Sequence, residues 1–586
     1  MPRCLLELPG ELVVYIVAHL ALDKHTLCSL ARTCRLLQVE CEKHIYDTLP
    51  LLSTDHLRAI IEAFTSRPER IASVETLRIL YRFHRGLGTT ADERSAFNRC
   101  VAAMTQLRHW HIESPYDNFK WQHGGGEWVT KDMDEFRKAI EAASLHADNM
   151  MVKTQQDIGL AKLEHLVIHS HGIESDFWNL RDFHCLFRHP GLRHLHISCL
   201  VLPTDIPDLE PYAHSTPLAT LVFDECELEP KSLARILRTP KSLKNLTLGE
   251  NVYNTNRSRS RNPRLSRTPE ASLDALLETA HSLETLTHHD PCWRPSLDSY
   301  DHRPLVSASS KGGLRTFHAL RMVNVNPNSF LHKSFILSHT QAPPNLATLR
   351  IHHARPPNSV FFEPPEDTYD LFERLPPCEP YTYLESLKTL EFIQGASLDM
   401  PTARSEHICQ EASVRQRHLT AYRLFKRGIN VRLHLEATWR RSLIPPFLHG
   451  EPHPEYLCVY DAKTIGFRRC LKESTASPET PLSDHSSLTK PGDLLETAEL
   501  TVDDILRLRN EVRRSLDSLK TRMVPADVSL FLDDDNNNLE NDIDTHVAGV
   551  YMVGEDDSDF DSDDVETEWF DLDEDEMGTE EEFIED

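Results

Sequence analysis

Along most of the chain the apolar positions fall into one short motif, Leu-x-x-Leu-x-apolar. It reads Val74-Glu-Thr-Leu-Arg-Ile79, Leu107-Arg-His-Trp-His-Ile112, Leu163-Glu-His-Leu-Val-Ile168 and Leu192-Arg-His-Leu-His-Ile197. It continues as Leu218-Ala-Thr-Leu-Val-Phe223, Leu243-Lys-Asn-Leu-Thr-Leu248, Leu346-Ala-Thr-Leu-Arg-Ile351 and Leu387-Lys-Thr-Leu-Glu-Phe392, with weaker copies starting at Leu283 and Leu314. Apolar and polar residues alternate at the end of each copy, which predicts a strand with one buried face. Helical stripes precede several copies: Phe183, Leu186 and Phe187; Leu233, Ile236 and Leu237; Leu273, Leu276 and Leu277. Strand and helix in alternation predict an α/β fold with parallel strands on one side and helices on the other.

The starts at 163, 192, 218 and 243 are 29, 26 and 25 residues apart. That spacing fits a leucine-rich repeat of about 20–29 residues, and wider gaps elsewhere make the expected solenoid irregular. Cys226 and Asn251 stand where such repeats carry a small polar group that bonds loop backbone. The repeat region is expected over 74–460, with inserts near 115–159, 252–271 and 354–380. It seeks a cap at its far end, around 428–451. A polar linker over 471–499 leads to an amphipathic helix over 501–523. There Thr501-Val-Asp-Asp504 is a capping-box variant, and Ile505, Leu508, Val512, Leu516 and Leu519 form one stripe. The alternatives for this helix are packing on the body and binding a partner.

The first fifty residues have a different pattern. Pro9 suits a helix first turn, and Leu12, Ile16 and Leu20 recur from there at helical spacing. Asp23 and Thr26 are cap-type residues before a second helix carrying Leu27, Leu30, Ala31 and Cys34. A third helix carries Leu37, Cys41 and Ile45. Three short helices cannot bury all of these apolar faces among themselves, so the remainder needs a partner or caps the repeat region. A connecting helix is expected over 49–73, on Leu57, Ile60, Ile61 and Phe64.

This N-terminal string resembles an F-box: Leu8-Pro9, Glu11-Leu12, Ile16, Leu20, Leu27, Leu30, Thr33-Cys34-Arg35 and Ile45-Tyr46. Ile444-Pro-Pro-Phe-Leu-His-Gly-Glu451 is similar to the closing segment of fungal F-box/leucine-rich-repeat-like proteins. The resemblance implies that residues 1–48 dock on a Skp-type adaptor and, through it, on a cullin. Leu8, Pro9, Leu12, Ile16, Leu20, Leu27 and Leu30 would then be the adaptor contacts. The chain would be a non-catalytic substrate-recognition subunit of a ubiquitin ligase, selecting an unknown protein substrate with its repeat region. Two other readings stand beside it: an F-box scaffold acting outside any ligase, and an acidic-tailed nuclear protein binding basic partners.

Charge changes the picture at one end only. The stretch 533–586 holds 25 Asp or Glu and no Lys or Arg, so removing it takes the net charge from −28 to −3. A tail over 532–586 has too few apolar residues to fold alone. Thirteen scattered cysteines argue for a reducing compartment, cytoplasm or nucleus. No secretory signal or membrane span is expected, and nothing in the sequence makes nucleic acid the principal partner. No phosphate loop, nucleophile elbow or zinc-type cysteine pair is present, and no cofactor is implied.

One constellation carries candidate chemistry. The outward positions of the first strands are His109 and His111, His165, and His194 and His196. Neighbouring strands lie about 4.8 Å apart, so a band of imidazoles is expected. It is a polar face only, or a patch for an acidic or phosphorylated partner that strengthens as His protonates below about pH 6.5, or it contributes to a zinc site drawn from Cys185, His189, His194, His196 and Cys199. The basic segment Arg257–Arg267 is read as a solvated loop, an import or nucleic-acid patch, or a contact for the acidic tail.

Overall fold

The computed structural model describes residues 8–79, 90–113, 126–148, 158–169, 178–180, 183–207, 209–250, 264–289, 312–327, 329–338, 340–353, 370–398, 401–438, 455–471, 494–497 and 499–523. The acidic tail, most of the basic segment, Asn251 and the segment 444–451 lie outside them.

Each of the eight full motif copies forms a strand, because the two apolar side chains of each copy enter one core while the residues between them stay on the open face. The strands are β1 (Thr48–Leu51), β2 (Thr76–Ile79), β3 (His109–Glu113), β4 (His165–His169), β5 (Trp178–Asn179), β6 (His194–Ser198), β7 (Leu200–Val201), β8 (Thr220–Asp224) and β9 (Asn245–Gly249). They continue as β10 (Thr285–His289), β11 (Met322–Val325), β12 (Thr348–His353), β13 (Thr389–Ser397), β14 (Asn430–Thr438), β15 (Glu455–Asp461), β16 (Arg468–Leu471) and β17 (Leu494–Thr497). All except β5, β7, β16 and β17 make one 13-stranded sheet in chain order. It is parallel until β15, which runs antiparallel to β14. The architecture is therefore α/β and solenoid-like.

A repeated backbone device sets the register. Arg108 N and His109 N both donate to Glu75 O; Glu164 N and His165 N both donate to Arg108 O; Arg193 N and His194 N both donate to Glu164 O. The same doubled bond recurs at Arg193, Ala219, Lys244, Glu284, Arg321 and Ala347. The side chains at this entry position alternate in sign at first, Glu75, Arg108, Glu164, Arg193. Two neighbours close ion pairs, Arg108–Glu164 at 2.6 Å and Lys244–Glu284 at 3.0 Å. Cys226 fills its expected role, its thiol donating to Asp224 O at 3.1 Å and its amide to Gly249 O.

The helices are α1 (Gly10–His19), α2 (Lys24–Ala31), α3 (Arg35–Ile45), α4 (Thr54–Ser66), α5 (Ala91–Ala102), α6 (Gly126–Asp148), α7 (Pro230–Leu237), α8 (Arg264–Arg267) and α9 (Pro269–Leu277). The rest are α10 (Ser405–Ile408), α11 (Glu411–Phe425), α12 (Ala462–Ile465) and α13 (Val502–Met523). The Phe183 stripe forms a 3-10 helix, Phe183–Arg188. One continuous apolar core runs from Leu49 to Leu519. Helix α13 closes it: Ile505, Val512, Leu516 and Leu519 are buried, Arg509 donates to Cys409 O, and Arg522 pairs with Glu455. Its capping box is formed, with Thr501 N on Asp504 Oδ2 and Asp504 N on Thr501 Oγ1.

Several boundaries differ from expectation. The sheet begins at Thr48 rather than 74, since β1 pairs in parallel with β2. The copy expected from Leu314 is a 3-10 turn, and the strand comes later, at Met322–Val325, with Leu320, Val323 and Val325 buried. The basic insert ends early. Arg264 and Arg267 belong to α8, where Leu265 and Ser266 are buried and Arg264 faces Glu227 and Glu229. The linker contains a strand, because Leu494–Thr497 pairs antiparallel with Arg468–Leu471. Helix α6 lies inside the predicted 115–159 insert yet buries Phe136, Ile140 and Ala143 in the common core.

Candidate partner-docking surfaces

Helices α1–α3 have a core of their own, separate from that of the sheet. Val13, Val17, Leu27, Leu37 and Cys41 form it, and Leu20, Leu30, Ala31, Cys34 and Ile45 pack on it half-buried. Helix α1 is apolar nearly all round, so it must choose a face. Val13 and Val17, one turn apart, turn inward, and this directs Leu8, Leu12, Val14 and Tyr15 outward. Leu12 is 48% exposed and Leu22, at the turn into α2, is 100% exposed. Leu36 and Val39 of α3 are exposed as well. Of the seven residues expected to meet an adaptor, Leu8, Pro9 and Leu12 are exposed, and Ile16, Leu20 and Leu30 are half-buried. Leu27 is 0% exposed. It is a core residue that supports the face and cannot itself touch a partner.

This small module is tied to the sheet by charge. Glu42 is buried between Arg70 (2.6 Å) and Arg67 (2.9 Å), with Gln38 donating at 3.0 Å. Burial alone would raise its carboxyl, but the hydrogen bonds from Arg70 and Gln38 and the two guanidinium charges bring it below the ordinary value. Arg70 also lies over the Tyr46 ring, 5.1 Å from its centroid, and Lys24 pairs with Asp47 at 2.7 Å.

The open face of the sheet carries the predicted imidazoles. His109, His165 and His194 are register partners on β3, β4 and β6. Their rings stack, with centroids 4.8 Å and 5.3 Å apart and planes within 28°. His111 and His196 lie one row further along, separated by Val167. His111 meets Glu113 at 2.8 Å, and His196 lies 3.7 Å from Asp224. The five histidines are therefore one stack of three and two separate His–carboxylate pairs.

Two of the three stacked rings are made harder to protonate by their surroundings. Burial, then the neighbouring His165 and His196, hold His194 at about 4; burial, then His109, lower His165. At His165 and His194 a proton would sit against another imidazole, which works against a cationic patch at those two positions. The zinc grouping does not form either. His189 accepts Gly191 N on Nδ1 and meets Leu160 O through Nε2, and the Cys185 thiol is buried and pushed up to about 12. Among the described residues the one His/Cys/Asp/Glu group with metal-compatible spacing is Asp370, Glu373 and His407. No motif marked it, because its members lie on two segments far apart in sequence.

At the other end of the open face charges compensate one another. Arg350 grips Glu391 through Nε and Nη2 (2.9 and 2.8 Å), while Arg432 pairs with Asp461 at 2.9 Å and reaches Glu391 at 3.4 Å. Among the described residues no helix is long and apolar enough to cross a membrane. No family model matches the chain, and no curated protein matches it.

Proposed function

We propose that the chain is a substrate-recognition subunit of a Skp–cullin–F-box-type ubiquitin ligase. Helices α1–α3 would dock on the adaptor, and the open face of the leucine-rich-repeat-like sheet would select a protein substrate. The observation that carries this reading is the outward apolar row Leu8, Leu12, Val14 and Tyr15, on a module with a separate core. An apolar row held out by its own core costs solvation unless a partner covers it. The sequence resemblance supplies the kind of partner. The chain's contribution would be positional, raising the effective concentration of a substrate lysine at an enzyme bound elsewhere.

The test is capture of a Skp-type adaptor and cullin by the full chain, beside a Leu8→Asp, Leu12→Asp variant. Both positions are exposed, so the variant keeps its fold. Loss of both proteins in the variant supports the proposal. Capture of neither by the wild type overturns it, and adaptor without cullin moves the chain to the scaffold reading.

A further inference from the structure

The turn Asp370–Glu373 and helix α10 bring three metal-ligating groups together. His407 Nε2 lies 3.0 Å from Asp370 Oδ2. The ligand atoms of Asp370, Glu373 and His407 all lie within 4.8 Å of one another. These groups are positioned by a framework beneath them. Asp370 Oδ1 accepts Phe372 N at 2.8 Å, and Asp370 O accepts the amides of Glu373 and Arg374. Phe372 and Ile408, each next in sequence to a ligand, are buried. Arg417, 2% exposed, donates from Nη2 to Phe372 O (2.7 Å) and to Ile408 O (3.3 Å). One buried guanidinium thus pins the two ligand-bearing segments at fixed separation. Its Nη1 is buried without a hydrogen-bond partner among the described residues.

We propose that Asp370, Glu373 and His407 bind a divalent transition-metal ion, with Zn²⁺ the favoured occupant. One imidazole and two carboxylates are a borderline nitrogen–oxygen donor set that suits zinc. Zinc–ligand bonds of about 2.0–2.2 Å place donors roughly 3.4 Å apart around the ion. The Asp370–His407 pair is already near that spacing, and the exposed Glu373 side chain rotates to complete it. His407 serves through Nε2 with its ring proton on Nδ1, so the bond to Asp370 is exchanged for two bonds to the metal. Three protein ligands leave a fourth position open to solvent or to a partner's side chain.

The experiment is zinc titration of the chelator-stripped full chain by competition with a chromophoric chelator, beside Glu373→Gln, Asp370→Asn and His407→Ala. One equivalent is expected to bind the wild type and to weaken at least tenfold in each variant. Added zinc should raise the thermal midpoint of the wild type and leave that of Glu373→Gln unchanged. Because Glu373 is exposed, that variant separates metal loss from misfolding. Unaltered zinc affinity in Glu373→Gln and His407→Ala, or no bound equivalent at micromolar zinc, overturns the proposal.

Discussion

His288 Nδ1 and Ser329 Oγ share a 2.7 Å hydrogen bond in the interior, where neither residue reaches solvent. Glu250 lies 3.4 Å from the other ring nitrogen. Ser, His and Glu in this order suggest a nucleophile with its base and orienting acid. The surroundings argue otherwise. Ser329 Oγ accepts Leu331 N, and Glu250 Oε1 accepts Arg264 N and Leu265 N. The trio ties the segments that follow β9 and β11 to strand β10, and its serine is fully buried.

Ser329→Ala is accordingly expected to act on stability. It leaves buried His288 short of a partner, at about 1–3 kcal/mol. Urea unfolding of Ser329→Ala, His288→Ala and the double variant measures it. Their coupling should be positive, whereas additive losses would separate the pair.

Leu12 and Leu27 should respond in opposite ways. Leu12→Asp on the outer face is expected to shift stability by no more than about 0.5 kcal/mol while abolishing adaptor capture. Leu27→Ala opens a cavity in the small core and costs about 2–5 kcal/mol. Thermal unfolding beside capture distinguishes the two, and a Leu12→Asp variant that unfolds would show that the outward row is structural.

Acidification should weaken the fold through histidines held neutral. His189, His194, His289 and His418 are each held at about 4, with burial the first cause, against about 6.5 in an unfolded chain. Between those values the unfolded chain binds more protons, so stability rises with pH there. It is fully present above about pH 6.5, falls as pH drops from there, and the loss is complete below about 4. His194→Asn, which matches Asn245 in the same row, should flatten this slope by up to one proton. Proton NMR titration of the His194 ring is the direct check, and a midpoint near 6.5 would contradict it.

Helix α13 separates along its own length. Leu519→Asp, in the core, is expected to destabilise the chain strongly, and Leu506→Asp, on the exposed side, to be nearly neutral. Thr501→Ala removes the cap hydroxyl and should cost about 1 kcal/mol. Denaturant midpoints of the three variants rank them, and equal effects at 506 and 519 would mean the helix does not pack as described.

Much of this fold was legible because a parallel strand buried on one side repeats its apolar spacing in every copy, as at Leu163–Ile168 and Leu192–Ile197. The stripe of α13 was legible for the same reason. β1 was not, since Pro50 interrupts the reading of a strand. The sheet tolerates it because β1 is the edge, where a missing N–H costs no ladder bond. In α1 the run Leu12-Val-Val-Tyr-Ile-Val17 is apolar on every side, so spacing marked Leu12, Ile16 and Leu20 as a stripe but did not show that Val13 and Val17 make the core. The histidine band was legible as a row, but the lowered pKa of His165 and His194 was not, because that depends on burial and on ring-to-ring distances set by neighbouring strands. The Asp370–Glu373–His407 group is a product of tertiary folding alone.

The doubled backbone bond that starts the sheet's parallel strands from β2 to β13 makes the sheet a ruler. Every strand added between α3 and α13 advances the far end by about 4.8 Å, and the antiparallel β15 with α13 closes the scale so that no further copy joins at the end. The separation between the N-terminal module and any point on the open face is therefore counted in strands. Removing one interior repeat would shift whatever is held beyond it by one such step while leaving both ends intact.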